Sequence, residues 1–484
     1  MSRQISITEA ALAGKGDTLG SLKRQLAFAG GATCGLVALW ILVPMALLPT
    51  AVLLAILGLL LAAVRPALVS IVFLSLTYFK LNEISPALEP LRFVLSFGSI
   101  LTTFALIWHL VFTHSIRPEF NGPLTLVAVF WLFVSAGVVT AQDHTMAYQA
   151  WSEYSKTLLL ALAIVWFVKT ETQIRLLVRL FLIGGSIISA STIFNAWSGV
   201  QLVEGTRAAA GSGTLQNPND LALILLLPLA FGAALLLRRE RPVDRAIGAV
   251  GMLLIGYAII LTESRGGLLG ILTVFAIIGG RYVRSKLLLV GIGVPLAVML
   301  YAAMGISGRQ SGGGGDAKGE SAQDRIYAWH AGTNMAKVFP LTGVGIGNFV
   351  PQFSTYSPEE VQHPLTAHSI WFLVLGEIGF PGLVVFVSLV VVCIRACVKN
   401  IAKLASIRAP PDLQASALAT LAALAGYLVS GSFLSYAYQW PLYVLVALTV
   451  ALGRVANRHH GRAVSSAEPR TVEADRQSTV RSRL

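Results

Sequence analysis

Charge is scarce in this sequence. Only 12% of its 484 residues are Asp, Glu, Lys or Arg, while 55% are hydrophobic and the mean hydropathy is +0.72. That balance excludes a soluble globular protein. Ten-residue segments of alternating polarity are missing, which excludes a membrane β-barrel. Cysteine is nearly absent. Cys34, Cys393 and Cys397 are too few for a disulfide framework. Cys393 and Cys397 share a helix face, but two thiols alone make a poor metal site and read as small packing residues. No phosphate-binding P-loop and no nucleophile elbow occurs. The stretch "GVGIGNF" (343–349) contains G-x-G-x-G, but no strand precedes it, so it is no dinucleotide fingerprint.

What fills the space is a series of long apolar runs. A helix needs about 20 residues to span a bilayer. The runs at 29–48, 50–64, 67–79, 91–113, 123–141, 155–168, 177–197, 219–237, 246–262, 266–280, 287–306, 369–394, 412–432 and 436–453 predict a polytopic, all-α transmembrane bundle. That is 14 spans, or 12 to 13 if the short second and third do not each cross. Five regions follow: a polar cytoplasmic segment at 1–26, helices with short loops at 27–306, a large loop at 307–368, helices at 369–453, and a basic tail at 454–484 that composition predicts to be disordered. The first run lacks a small-residue cleavage site behind it and reads as an uncleaved span.

The net charge of +13 is a matter of topology rather than of nucleic-acid binding, because the cations sit in alternate connections. One set holds "RRERPVDR" (238–245), "RYVRSK" (281–286), "RACVKNIAKLASIR" (395–408) and both termini. By the positive-inside rule this set is cytoplasmic, and contact with anionic membrane lipids is explanation enough for it. The opposite set faces outward: 80–90, 142–154, 198–218, the hairpin at 263–265, and 307–368. Its cations are few: Lys80, Lys156, Arg207, Arg265, Arg309, Lys318, Arg325 and Lys337. Each needs its own reason, such as a partner or a ligand. Within the long loop, "GRQSGGGGDAKGES" is flexible by composition. "AQDRIYAWHAGTNMAKVF" has helical spacing, with Ile326, Trp329, Ala336 and Val338 apolar, Asp324 near its start and Pro340 at its end. A short helix lying on the outer membrane face is the expectation.

The outward face gathers the chemistry. Arg207 and Asn217-Pro218-Asn219-Asp220 precede one span, and "TESRGG" puts Arg265 at the first turn of another. Arg325 lies in the long loop. His363 and His368 lead into "SIWFLVLGEIGFPG". A helix N-terminus is already electropositive, so Arg265 is unfavourable there by itself. Glu263 would relieve it, and an anion would relieve it better. Ser264, Gly266 and Gly267 expose backbone N–H groups to such an anion, and arginine suits bidentate phosphate contact. Judged alone, Arg265 reads as an interfacial pair with Glu263 or a lipid headgroup contact. Together with Arg207, Arg325 and His368 it points to a site for an anionic, lipid-linked substrate. His368 is a candidate general base. The grouping of His363 and His368 with Glu359 or Glu360 matches no zinc spacing, so no metal is expected. Glu377, mid-span, reads as a hydrogen-bonding partner within the bundle.

These segments together resemble the O-antigen ligase and O-antigen polymerase superfamily of bacterial inner-membrane glycosyltransferases. Four matches carry the resemblance: "TRAAAGSGTLQNPNDLA", "LTESRGGLLG", "DRIYAW…FPLTGVGIGNF" and "AHSIWFLVLGEIGFPGLVVF", covering about residues 200–385. The resemblance implies a metal-independent, inverting transfer without a cofactor, at the periplasmic face of the inner membrane. The donor would be an undecaprenyl-pyrophosphate-linked glycan, and the acceptor a hydroxyl of the lipid A core or of another glycan, in lipopolysaccharide biosynthesis. It implies that Arg207 and Arg265 hold the pyrophosphate, with Arg325 a further candidate. His368 would be the base, and Asn217, Asn219, Ser264 and Glu377 would support the site. Ser369 stands where the family usually has asparagine, which alters the contact beside the histidine. Two other classes remain open at this point: a membrane transporter, which broken helices and inverted repeats would favour, and a non-catalytic scaffold of polysaccharide export. No symmetry between the halves of the sequence is visible.

Overall fold

In a computed structural model the described residues are 47–116, 121–236, 242–282, 322–358 and 363–467, with isolated positions at 285, 294, 298 and 361. The chain divides into two units, residues 1–64 and 65–484. The first contributes one described helix, α1 (Leu47–Val64). The second carries α2 (Pro66–Phe79), α3 (Leu91–Ile107), α4 (Gly122–Val139), α5 (His144–Phe167), α6 (Glu171–Ser198), α7 (Pro218–Leu236) and α8 (Pro242–Leu261). It continues with α9 (Arg265–Tyr282), α10 (Ala322–Val338), α11 (Phe349–Tyr356), α12 (Ile370–Ser406), α13 (Pro411–Gly431) and α14 (Trp440–Ala467). The described strands form a two-residue hairpin, β1 (Leu202–Val203) against β2 (Arg207–Ala208). The fold is an all-α polytopic bundle. Among the described residues 8 helices are long and apolar enough to cross a membrane.

The core of the second unit forms around α7. Its sequence, "PNDLALILLLPLAFGAALL", is apolar on every side, and a helix of that kind is buried all round. It packs against α6, α8, α9 and α13. Small residues let the backbones close in: a Cβ on Gly248 of α8 would stand 2.7 Å from the carbonyl oxygen of Gly232 on α7. A second group assembles on α12, which packs on α4, α10, α13 and α14.

Several boundaries differ from the expected ones. Residues 144–154, expected as loop, are the first half of α5. The carboxylate of Asp143 accepts from the amides of Thr145 and Met146, which starts the helix well before the apolar run. Helix α14 runs past Arg454 to Ala467, where composition predicts disorder. There Arg454 and Arg458 donate back to the carbonyls of Val165 and Lys169 at the end of α5, as cations do at a helix C-terminus. Helix α10 falls where its spacing predicts, but its buried face is Ala328, Ala331, Met335 and Ala336, seated on α12 and α11; Ile326 and Val338 are exposed. Packing on protein, rather than on a membrane face, favours small side chains. The expected spans at 29–48 and 287–306 lie mostly outside the described residues, as do the segments at 1–26, 307–321 and 468–484.

The connections interlock in two sets. In one, Glu83 accepts from Thr214 N, Arg207 reaches Thr262, Asn348 bonds Asp143, and His368 bonds Ser435. In the other, Arg175 pairs with Glu171 and Asp412, Arg179 with Asp244, and Lys403 bonds Asn457.

Candidate functional site

The turn between α8 and α9 is as tight as the sequence requires. Thr262 ends the helical path, Glu263 takes a left-handed conformation (φ 50°), and Ser264 caps α9 by accepting from Gly267 N at 3.1 Å. Ser264 itself is buried. Arg265 follows as the first residue of α9, and it is exposed. Glu263 does not pair with it. Its carboxylate accepts instead from the Thr206 hydroxyl at 3.2 Å, across in the β-hairpin. The first amides of α9, those of Arg265 and Gly266, have no hydrogen-bond partner among the described residues.

The other outward cations are engaged. Lys80 lies 3.3 Å from Glu83, donates to Thr214 Oγ1 and sits 4.5 Å over the Trp440 ring. Lys156 pairs with Glu153, and Lys337 reaches Asn334. The guanidinium of Arg325 stands 5.8 Å from the Phe433 ring centre. Arg309 and Lys318 lie outside the described residues. Of the described cations in this set, Arg265 alone has no partner among the described residues.

Arg207 is buried and fully used. Its Nε donates to Thr262 O at 3.0 Å, its Nη2 to Asn219 Oδ1 at 2.7 Å, and its Nη1 lies 3.6 Å from Glu204. It therefore braces the turn that presents Arg265 and ties it to the start of α7. Asn217 caps α7: its Oδ1 accepts from Asn219 N at 2.9 Å, and Pro218 is the first helical residue. The Asn-Pro-Asn run is thus a cap, a helix starter and an arginine clamp in succession.

His368 is buried and held at φ 45° immediately before α12, whose N-cap is Ser369. Thr366 Oγ1 lies 3.1 Å from the ring's Nε2 and 3.3 Å from Nδ1. The backbone amide of His368 donates to Ser435 Oγ at 2.9 Å. Ser369, in place of asparagine, accepts from Trp371 N and so serves the helix rather than the ring. His363 is exposed.

One short segment, missed by the sequence reading, touches the start of α9, Arg325 and the start of α12 with His368. It is Ser430–Ser435, the end of α13 and the turn after it. A Cβ on Gly266 would stand 3.4 Å from Ser430 Oγ. Trp371 Nε1 donates to Ser432 Oγ at 2.9 Å, Phe433 faces Arg325, and Ser435 holds His368. The turn is coiled by bonds from Phe433 N to Ser430 O and from Leu434 N to Gly431 O, both 3.1 Å. Five residue steps span at most about 18 Å even when extended. The α9 start, Arg325 and His368 therefore surround one small feature. A run of serines with one glycine, one phenylalanine and one leucine carries no chemical signature, so no sequence signal marks it.

Glu377 and the glycine-rich loop form a support beneath this site. Helix α12 is broken at Gly379 (φ 76°), followed by Pro381. The loop before α11 inserts at the break: Val344 N donates to Gly376 O at 2.9 Å, Gly345 N to Glu377 O at 3.0 Å, and Phe380 N to Pro340 O at 2.9 Å. The Glu377 carboxylate accepts from Phe349 N at 3.1 Å, at the start of α11. Gly343, Gly345 and Gly347 all have positive φ, which is why the loop needs glycine. The G-x-G-x-G run is a backbone insert into a helix break. Among the described residues, no group of three or more His, Cys, Asp or Glu is arranged to hold a metal ion.

Residues 250–387 match the family model for the O-antigen ligase. No curated protein matches the chain. The matched region runs from α8 through the turn at Arg265, α10, the glycine loop and His368 to the break in α12. The matched region lies within a multi-pass membrane bundle, and the family it resembles points to glycan transfer of the ligase or polymerase type.

Proposed function

We propose, for a chain whose residues 250–387 match the O-antigen ligase model, that it transfers a glycan from undecaprenyl pyrophosphate to an acceptor hydroxyl at the periplasmic face of the inner membrane. The reaction is of the ligase type, with the lipid A core as acceptor. The observation that carries this reading is Arg265. It is an exposed arginine without a partner among the described residues, at a helix start whose first two amides are also unpartnered. A helix N-terminus with free amides is an anion site, and a guanidinium beside it suits a pyrophosphate.

In the proposed reaction the acceptor oxygen attacks the anomeric carbon of the donor sugar. The bond from that carbon to the pyrophosphate oxygen breaks, and the anomeric centre inverts. The acceptor proton passes to His368, and undecaprenyl pyrophosphate leaves with the bonding pair. Arg265 and the α9 amides neutralise the charge that grows on the leaving group, so no metal is needed for that task. Arg325, across the Ser430–Ser435 turn, adds to the positive field. Arg207 contributes through the turn it braces. Membrane lipids surround the bundle, and the lipid-linked donor reaches the site from among them.

The break in α12 would suit a transporter. Its carbonyls, however, bond the amides of Val344 and Gly345, so protein backbone occupies the place where a transported ion would bind. The experiment that tests the reading is the glycan profile of a strain lacking the protein. Loss of long chains on lipid A, with lipid-linked polymer accumulating, identifies a ligase. Single repeats left on the core identify a polymerase instead. An unchanged profile rejects both.

A further inference from the structure

We propose that Ser430 is a substrate-binding residue, whose hydroxyl donates a hydrogen bond to a phosphate oxygen seated at the start of α9. The inference rests on the pyrophosphate reading of Arg265 and adds to it a residue outside the matched family region.

Three observations meet here. Ser430 is fully buried, and its Oγ has no hydrogen-bond partner. A buried hydroxyl without a partner is costly, and a protein that keeps one generally has a use for it. Its position is the second observation. The atom nearest to a Cβ built on Gly266 is Ser430 Oγ, at 3.4 Å, with the Ser430 carbonyl oxygen next at 3.5 Å. Gly266, the second residue of α9, thus leaves open the space that a side chain would take in front of the hydroxyl. The third is that the amides of Arg265 and Gly266 are unpartnered, while the Gly267 amide is satisfied by Ser264. Two backbone donors and one hydroxyl donor therefore meet at the start of α9, whose first residue is the exposed Arg265. Their match is an oxyanion with several acceptor oxygens, such as a pyrophosphate. A carbonyl or hydroxyl ligand would leave most of these donors unused.

Ser430 also links the anion to the base. It is the first residue of the coiled turn whose last residue, Ser435, accepts from His368 N. A phosphate on Ser430 and the backbone of His368 on Ser435 are held by one short piece of backbone.

The test uses the full-length protein in lipid nanodiscs, with farnesyl pyrophosphate as the probe. Binding is measured for the wild type and for Ser430→Ala, Gly266→Ala and Arg265→Ala. Ser430→Ala is expected to weaken binding about tenfold, in line with the loss of a hydrogen bond to a charged group. Gly266→Ala, which fills the gap, is expected to weaken it as well. The ligand-free thermal midpoint of Ser430→Ala should be unchanged or higher, because an unpartnered hydroxyl has been removed; a purely structural serine would lower it. Wild-type binding that Arg265→Ala weakens and Ser430→Ala leaves intact overturns the role of Ser430 and leaves the anion site standing. Absence of binding by the wild type overturns both.

Discussion

Arg207 and Thr262 are joined by a 3.0 Å hydrogen bond from a buried guanidinium to a backbone carbonyl, one residue after α8 ends. The link fixes the turn on which Arg265 stands. Arg207 also clamps Asn219, so one side chain holds the β-hairpin, the start of α7 and the α8–α9 turn together. Arg207→Ala should therefore lower the thermal midpoint as well as abolish glycan transfer. The loss is about 3–5 kcal/mol, as when one partner of a buried charged network is removed. Arg207→Lys should not rescue it, because a single ammonium lacks the fork that serves two directions. An unfolding curve identical to the wild type would show that Arg207 does not brace the turn.

Arg265 should behave in the opposite way. With no partner to lose, Arg265→Ala should leave stability within about 0.5 kcal/mol, as for an ordinary surface substitution. Transfer should fall by about 10²–10³, the usual effect of removing one donor from developing negative charge. Arg265→Lys should restore part of it. Full transfer by the alanine variant would exclude Arg265 from the reaction.

His368→Gln should abolish transfer while donor binding stays near the wild-type level, with a loss of about 10²–10⁴ for a missing general base. Ser435→Ala removes the acceptor of the His368 amide. It should produce a smaller loss in turnover and little change in apparent donor affinity. A histidine that served only the helix start would show the loss in folding yield instead.

Gly379→Ala and Gly343→Ala should both undock the glycine loop. Each glycine has a positive φ, and a Cβ would stand 2.6 Å from Pro340 O in the first case and 2.3 Å from Glu377 C in the second. Backbone strain alone is about 1–3 kcal/mol per position. Hydrogen exchange of the Val344 and Gly345 amides should accelerate in both variants. Unchanged protection would mean that the loop does not depend on the break.

At the other end of the bundle, burial lowers the Lys169 pKa, and Arg458 and then Arg454 lower it further. The charged form is disfavoured in the folded protein, so the destabilisation is full below the folded pKa and disappears as pH rises past the unfolded value near 10.4. Lys169→Gln should raise the thermal midpoint at pH 7, and the gain should vanish near pH 11. A gain that persisted at high pH would assign the effect to packing.

The bundle could be read from its apolar runs because they follow from the hydrocarbon that surrounds a spanning helix. Arg265 stands out in the sequence as a cation between two apolar runs, and the structure leaves it exposed at a helix start. The partner of Glu263 was not legible, since Thr206 lies 57 residues away in a hairpin too short to leave a periodic pattern. The break in α12 also escaped, because "GEIGFPG" permits a kinked helix as readily as a broken one, and only the arriving loop decides. The Ser430–Ser435 turn escaped because serines that hold a histidine look like serines that cap a helix.

The break in α12 has a bearing on how the protein is made. A finished helix enters a bilayer with its backbone already satisfied. The carbonyls of Gly376 and Glu377 accept from a loop that lies earlier in the chain. Left bare in hydrocarbon, each would cost several kcal/mol. The polypeptide 340–348 precedes α12 in the chain, so the break in α12 is satisfied on insertion when that loop is already at hand. A defect in the loop should then appear first as protein degraded during synthesis, ahead of any effect on turnover.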